Sequence, residues 1–198
     1  MKRFTILEST AVPIDQANLD TDQIIPARFL KNPREGGFSR YLFHDLRFNT
    51  DGSTVHDFSL NQQRYHSASI LVARQNFGCG SSREAAVWAL YDYGIRAVIA
   101  PSVGDIFRNN SLKNGLVPIT LPLNAVDDLF KFLAINPDHT ITVDLMAQLV
   151  VLPPAVTLGF HIDTFVKECL LSGVDEIEYT LSKLDEIANF ERRYERDV

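Results

Sequence analysis

The stretch from Ser67 to Thr120 constrains the fold more than any other part of the chain, because it alternates short apolar runs with helical spacing and clear stop signals. Ala68 to Ala73 (ASILVA) is rich in branched residues and flanked by polar and glycine-bearing sequence, the signature of a strand buried on both faces. From Ser82 to Tyr93, Ala85, Ala86, Ala89, Leu90 and Tyr93 recur at helical spacing, and Gly94 stops the run. Arg96 to Ala100 predicts a second buried strand ended by Pro101, Ser102 is placed to cap a helix running to about Lys113, with Gly115 at its end, and Leu116 to Leu121 predicts a third strand. Strand, helix, strand, helix, strand within roughly fifty residues specifies parallel βαβ units, so the core is an α/β layer.

The flanks are less regular. Asn124 to Ala134 forms an amphipathic helix in which Val126, Leu129, Phe130 and Leu133 share a face, with Asn124 as cap. Thr140 to Leu145, Gln148 to Leu152 and a run ending at Phe160 after Pro153-Pro154 read as short strands. A helical tail begins at about 161: Ile162 to Leu171 is stopped by Gly173, and Asp175 with Glu178 three residues later forms a capping box for a helix reaching about Tyr194. The charges from Glu191 to Asp197 read as a solvated helix face. Asn32 to Asp57, with Gly36, Gly37, Asn49, Asp51 and Gly52, reads as a long loop with little structure of its own, short of apolar anchors, ordering against a partner or substrate. With no internal repeat or linker, residues 1–198 form a single domain.

The chain has 198 residues, 45% hydrophobic and 22% charged, enough for a sizeable core and too apolar for disorder. Its 19 Lys and Arg against 25 Asp and Glu give a net charge of −6, which argues against nucleic acid held through phosphates. The N-terminal stretch is broken by Glu8 and Asp15 and fails as a signal peptide, and no run approaches the ~18 apolar residues of a membrane span, so a cytoplasmic protein is expected. Cys79 and Cys169 alone imply no disulfide framework, and the five histidines show no metal-binding spacing.

Chemistry concentrates at Asn76 to Glu84 (NFGCGSSRE), which joins a buried strand to a helix where α/β proteins bind ligands. Gly78 and Gly80 permit close backbone approach, Ser81 and Ser82 stand at the helix start where unpaired N–H groups favour an anion, and Arg83 adds a carboxylate-matched fork. The equally weighted alternative makes the serines helix caps and Arg83 a solvated first-turn residue. Arg83 falls where a dinucleotide fingerprint needs glycine, and neither a phosphate-binding loop nor a nucleophile elbow is present. Cys79 reads as a structural thiol rather than a nucleophile, and Asp20 and Asp22 as turn-forming residues that bond the backbone.

Taken together, NLDTDQIIPARFLK (18 to 31), NPREGGFSRYLFHDLRF (32 to 48), NFGCGSSRE (76 to 84), IAPSVGDIFRNNSLKNGLVPI (99 to 119) and LLSGVDEIEYTL (170 to 181) resemble the small subunits of bacterial 3-isopropylmalate dehydratases, in the aconitase superfamily. The resemblance spans essentially the whole chain. It implies the swivelling-domain fold, a three-layer β/β/α arrangement with parallel βαβ units and C-terminal helices. It also implies a hydro-lyase that isomerises 2-isopropylmalate to 3-isopropylmalate through isopropylmaleate in leucine biosynthesis, active only with a large subunit. That partner would hold a [4Fe-4S] cluster, leaving no cofactor and no metal on this chain. By the same resemblance Ser81 is the base, Gly80, Ser82, Arg83 and Arg28 bind the small dicarboxylate substrate, and Phe29, Leu30 and Lys31 lie where related enzymes distinguish substrates. Phe29 and Leu30 read equally well as core residues at a strand end. Ala85 stands where many family members carry His. Related malate-type (citraconate or methylmalate) dehydratases and a non-catalytic anion-binding module therefore remain alternatives.

Overall fold

The computed structural model describes residues 1–194. Strand β1 (Ile6–Ser9) passes almost directly into β2 (Ala11–Ile14), after which the chain crosses the one-turn helices α1 (Thr21–Ile24) and α2 (His44–Arg47). Short 3-10 turns lie at Ala27–Phe29, Arg34–Gly36, Ser39–Tyr41, Ser59–Asn61 and Gln63–Tyr65. Then come β3 (Ile70–Ala73), α3 (Glu84–Tyr93), β4 (Ala97–Ala100), α4 (Asp105–Lys113), β5 (Val117–Thr120) and α5 (Leu123–Ile135). Strands β6 (Ile141–Asp144), β7 (Leu149–Leu152) and β8 (Val156–Gly159) follow, and helices α6 (Thr164–Ser172), α7 (Glu176–Leu181) and α8 (Leu184–Tyr194) close the described chain.

Two four-stranded sheets result, a parallel one in the order β2-β3-β4-β5 and an antiparallel one in the order β1-β6-β7-β8. The parallel sheet is the middle layer, because its side chains alternate between two cores. Leu71, Ala73, Val98 and Ala100 pack with Ala86, Val87 and Leu90 of α3 and with Phe107 of α4. Ile70, Val72, Ala97, Ile99, Val117 and Ile119 pack instead with Ile141, Val143, Val150 and Leu152 of the antiparallel sheet and with Val126, Leu129 and Leu133 of α5. The layering is thus β/β/α, with the predicted βαβαβ order at its centre.

Several local expectations are corrected. Ser102 does not cap α4; Gly104 holds that position, and Ser102 Oγ accepts from the Asn76 N–H at 2.8 Å. Asn124 is likewise inside α5, whose cap position is Pro122. The tail helix is two helices, because Ser182 ends α7 before α8 begins, although the Asp175–Glu178 capping box forms as read. The charged stretch from Glu191 is described only as far as Tyr194; the remainder lies outside the described residues.

The segment 32–57 is the largest correction. Phe38, Leu42 and Phe43 are buried to 2% exposure or less, within the same core as α3. The Phe38 N–H donates to Asp92 on α3 at 2.9 Å, and the Arg34 guanidinium lies 4.3 Å from the centre of the Trp88 ring. Far from lacking apolar anchors, the segment forms an outer cover on α3.

Candidate functional site

The carboxyl ends of β2, β3 and β4 converge on the glycine turn. Beyond β3 the side chain of Phe77 enters the core and meets Phe107 edge-on, with ring centres 5.4 Å apart. On one side the Phe77 N–H donates to Ser102 O at 3.1 Å and the Gly104 N–H to Phe77 O at 2.9 Å. On the other, the Gly78 N–H donates to Leu19 O at 2.7 Å and the Thr21 N–H to Cys79 O at 2.9 Å. Thr21 Oγ1 donates to Ser81 O at 2.8 Å, fastening the turn where the serines begin.

Glycine is required twice in this crossing. Gly78 has φ +69 and faces Phe107 so closely that an added Cβ would stand 2.8 Å from that residue's Cβ. At Gly104 an added Cβ would stand 2.7 Å from Gly78 O. Two backbones touch here, which fixes the path of the turn.

Helix α3 begins at Glu84, two residues later than its spacing suggests, because Arg83 is still extended (φ −130, ψ 98) and occupies the cap position without a side-chain cap bond. Ser81 and Ser82 are exposed ahead of it. The reading of either serine as the helix cap is therefore corrected, and both hydroxyls are left to solvent or a ligand. Gly80, at φ +89, is exposed beside them.

Arg83 is not a solvated first-turn residue. Its side chain is 17% exposed and Nη1 is paired with Asp22, while also donating to Ile25 O at 3.2 Å. That guanidinium, together with the Ala27 N–H bonded to the same carboxylate at 2.9 Å, holds the Asp22 carboxyl below the usual carboxylate range. Asp22 does bond the backbone as read, but its pairing with Arg83 was missed. Asp20 acts as the expected backbone-bonding residue, capping α1 through the Gln23 N–H at 2.7 Å.

Arg28, on the 3-10 turn Ala27–Phe29, is gripped by a second carboxylate: Nη1 donates to Asp45 Oδ2 at 2.8 Å and Nη2 to Oδ1. The pairing depresses the Asp45 carboxyl to about 2. Asp45 opposes ionisation of Asp22, and Asp22 supports the charge on Arg28, so the two pairs belong to one patch. Phe29 is half-buried against the core, its ring stacked on Tyr41 at 4.4 Å; Leu30 is 38% exposed, and Lys31 is exposed. Ala85 is buried in the α3 core and brings no titratable group to the serines. Cys79 is half-buried, and its carbonyl rather than its thiol is used by Thr21.

The serines and Arg28 lie on an open surface. A cavity of about 550 Å³ lies elsewhere, against α4, α6 and α7, lined by residues that include Leu112, Phe165, Cys169 and Ile177. Among the described residues no three His, Cys, Asp or Glu come together to hold a metal ion, and no helix is long and apolar enough to cross a membrane.

The parallel sheet with its glycine crossing, exposed serines and arginine lies within a domain of the aconitase type, as the family comparison shows. The family model described as the aconitase C-terminal domain matches residues 1–124. The 3-isopropylmalate dehydratase small subunit of Leptospira interrogans (serogroup Icterohaemorrhagiae, serovar copenhageni, strain Fiocruz L1-130) is 49% identical over 195 residues, covering 98% of this chain and 95% of its own length. The crystal structure of 3-isopropylmalate dehydratase from Methanocaldococcus jannaschii DSM2661 matches with a TM-score of 0.64 at 26% identity, covering 94% of this chain and 99% of its own. The chain belongs to the family of 3-isopropylmalate dehydratase small subunits.

Proposed function

We propose that this chain is the serine- and arginine-bearing half of a cytoplasmic two-chain hydro-lyase that interconverts 2-isopropylmalate and 3-isopropylmalate through isopropylmaleate, in leucine biosynthesis. The observation that carries the reading is the exposed Ser81–Ser82 pair, left free of helix capping where three parallel strands end. Ser81 Oγ takes the carbon-bound proton from 2-isopropylmalate and returns it to the adjacent carbon in the second half of the isomerisation. Ser82, Arg83 and Arg28 receive the substrate carboxylates, with Gly80 giving the backbone clearance, and Phe29, Leu30 and Lys31 border the part of the substrate that differs among malate-type acids. A neutral hydroxyl is a weak base, so its deprotonated form depends on the cations and N–H groups grouped here.

An open half-site on a small subunit is completed by a large subunit. No group on the described surface fits a metal cluster. By the resemblance to the family, a [4Fe-4S] cluster held by the large subunit would supply Lewis-acid activation of the departing hydroxyl.

The test is Ser81→Ala in the assembled enzyme. Removing the base lowers kcat by about 10²–10⁴-fold and leaves KM and assembly nearly unchanged. Retention of near-normal turnover would overturn the assignment, and failure to assemble with any large subunit would overturn the two-chain reading.

A further inference from the structure

The two arginines assigned to substrate carboxylates are each already bound to an aspartate of the same chain, and the Arg28 pair differs from an incidental surface contact in how its acid is held. Asp45 sits on α2, immediately after fully buried Leu42 and Phe43, and the Phe43 N–H donates to Ile24 O at 2.8 Å. On the far side of α2, Arg47 is tied to Asn61 by two bonds: Nε donates to Asn61 Oδ1 at 3.0 Å, and Asn61 Nδ2 donates to Arg47 O at 2.8 Å. Both side chains of the pair are 53% exposed, but the backbone that carries the carboxylate is fixed by these bonds and by the buried residues before it. His44 adds a wall, its ring 4.8 Å from that of Phe29 and its Nδ1 3.1 Å from Asp45 Oδ1.

A guanidinium can present two forks to carboxylates, one across its two terminal nitrogens and one along its Nε edge. Asp45 fills the first, while Nε makes no hydrogen bond among the described residues. We propose that Asp45 is a positioning residue, which clamps the end of Arg28 so that the Nε edge faces the substrate carboxylate, and that the segment 32–57 serves the site as a fixed mount for this clamp. The inference rests on Arg28 binding substrate, as proposed above.

The experiment is steady-state kinetics of the assembled two-chain enzyme on 2-isopropylmalate. Asp45→Asn preserves shape but weakens the grip, and it should raise KM about tenfold while kcat stays within about twofold. Asp45→Glu should recover most of the loss, and Arg28→Lys combined with Asp45→Asn should be no worse than Arg28→Lys alone, because the clamp acts only through the guanidinium. An unchanged KM for Asp45→Asn alongside a raised KM for Arg28→Lys overturns the clamp and leaves the substrate role of Arg28 standing. Unchanged KM in both variants overturns both. A double variant whose losses simply add makes Asp45 structural and also refutes the clamp. If Asp45→Asn does not assemble, Asp45→Ser, which likewise removes the carboxylate, decides: unchanged KM alongside a raised KM for Arg28→Lys refutes the clamp, and a raised KM that does not add to that of Arg28→Lys supports it.

Discussion

Gly78→Ala isolates what the backbone crossing beneath the serines is worth. Two costs are superimposed at this position. A left-handed φ of +69 in a residue bearing a Cβ costs about 1–2 kcal/mol. The new methyl also stands 2.8 Å from both Phe107 Cβ and Cδ1, and overpacking of that kind adds about 1–3 kcal/mol. Gly52 separates the two, since its φ is +83 but an added Cβ meets nothing within 4 Å. Gly52→Ala should therefore cost only the conformational part, and for a chain of this size its melting temperature should fall by roughly 3–6 °C. Gly78→Ala, at a midpoint of about 3.5 kcal/mol, should fall by roughly 7–14 °C. Thermal unfolding followed by circular dichroism reads both. Phe107→Leu makes room at the crossing, so the double variant with Gly78→Ala should lose less than the two singles combined, a coupling that Gly52→Ala cannot show. If Gly78→Ala melts with Gly52→Ala, or if Phe107→Leu gives no relief, the steric account of the crossing is wrong.

Phe38→Ala removes a ring 2% exposed in the cover over α3 and should cost about 3–5 kcal/mol; amides 38–47 of the intact small subunit should be protected from hydrogen exchange without any partner, and rapid exchange there would refute a built-in cover. The ion pair of Asp45 gives a pH signature. Its carboxyl titrates near about 2 rather than at the ordinary 3.8, so its contribution to stability is complete above pH ~4 and is lost as pH falls toward 2. The stability difference between the wild type and Asp45→Asn, measured by urea unfolding, should shrink over that interval; a difference unchanged at pH 2 would exclude the ion pair as its cause.

The middle layer was legible because buried parallel strands and their helices carry dense local signals: ASILVA and RAVIA are continuous apolar runs, and Gly94 and Gly173 mark helix ends. What escaped notice has physical reasons. Strand β2 is only four residues long, contains Pro13 and lies at the sheet edge, where a missing N–H is tolerated but the strand pattern is broken. Without β2 there was no means of seeing that Asp22 stands beside the glycine turn. The anchors Phe38, Leu42 and Phe43 fall in 3-10 turns and an isolated helical turn that have no sustained period, so a glycine- and charge-bearing segment concealed them. The sequence pattern puts the serines at the helix start, whereas α3 begins only at Glu84 and leaves them ahead of it. Only the extended backbone at Arg83 distinguishes a cap from a free hydroxyl.

The passage of the chain from one sheet to the other at Thr10 has a consequence for how the protein is made. Strand β1 leaves the ribosome roughly 130 residues before its partner β6, a delay of about 7–26 s at ordinary elongation rates of ~5–20 residues per second. From their own synthesis until β6 arrives, Ile70, Val72, Ala97, Ile99, Val117 and Ile119, destined for the space between the sheets, lack the antiparallel sheet that will cover them. The helical side can close as soon as α3 and α4 emerge, since its connections are local. The nascent chain therefore passes through a one-sided stage in which the half that carries the serines is assembled first, while the opposite face stays exposed to chaperones and to neighbouring chains until β6 and β7 arrive.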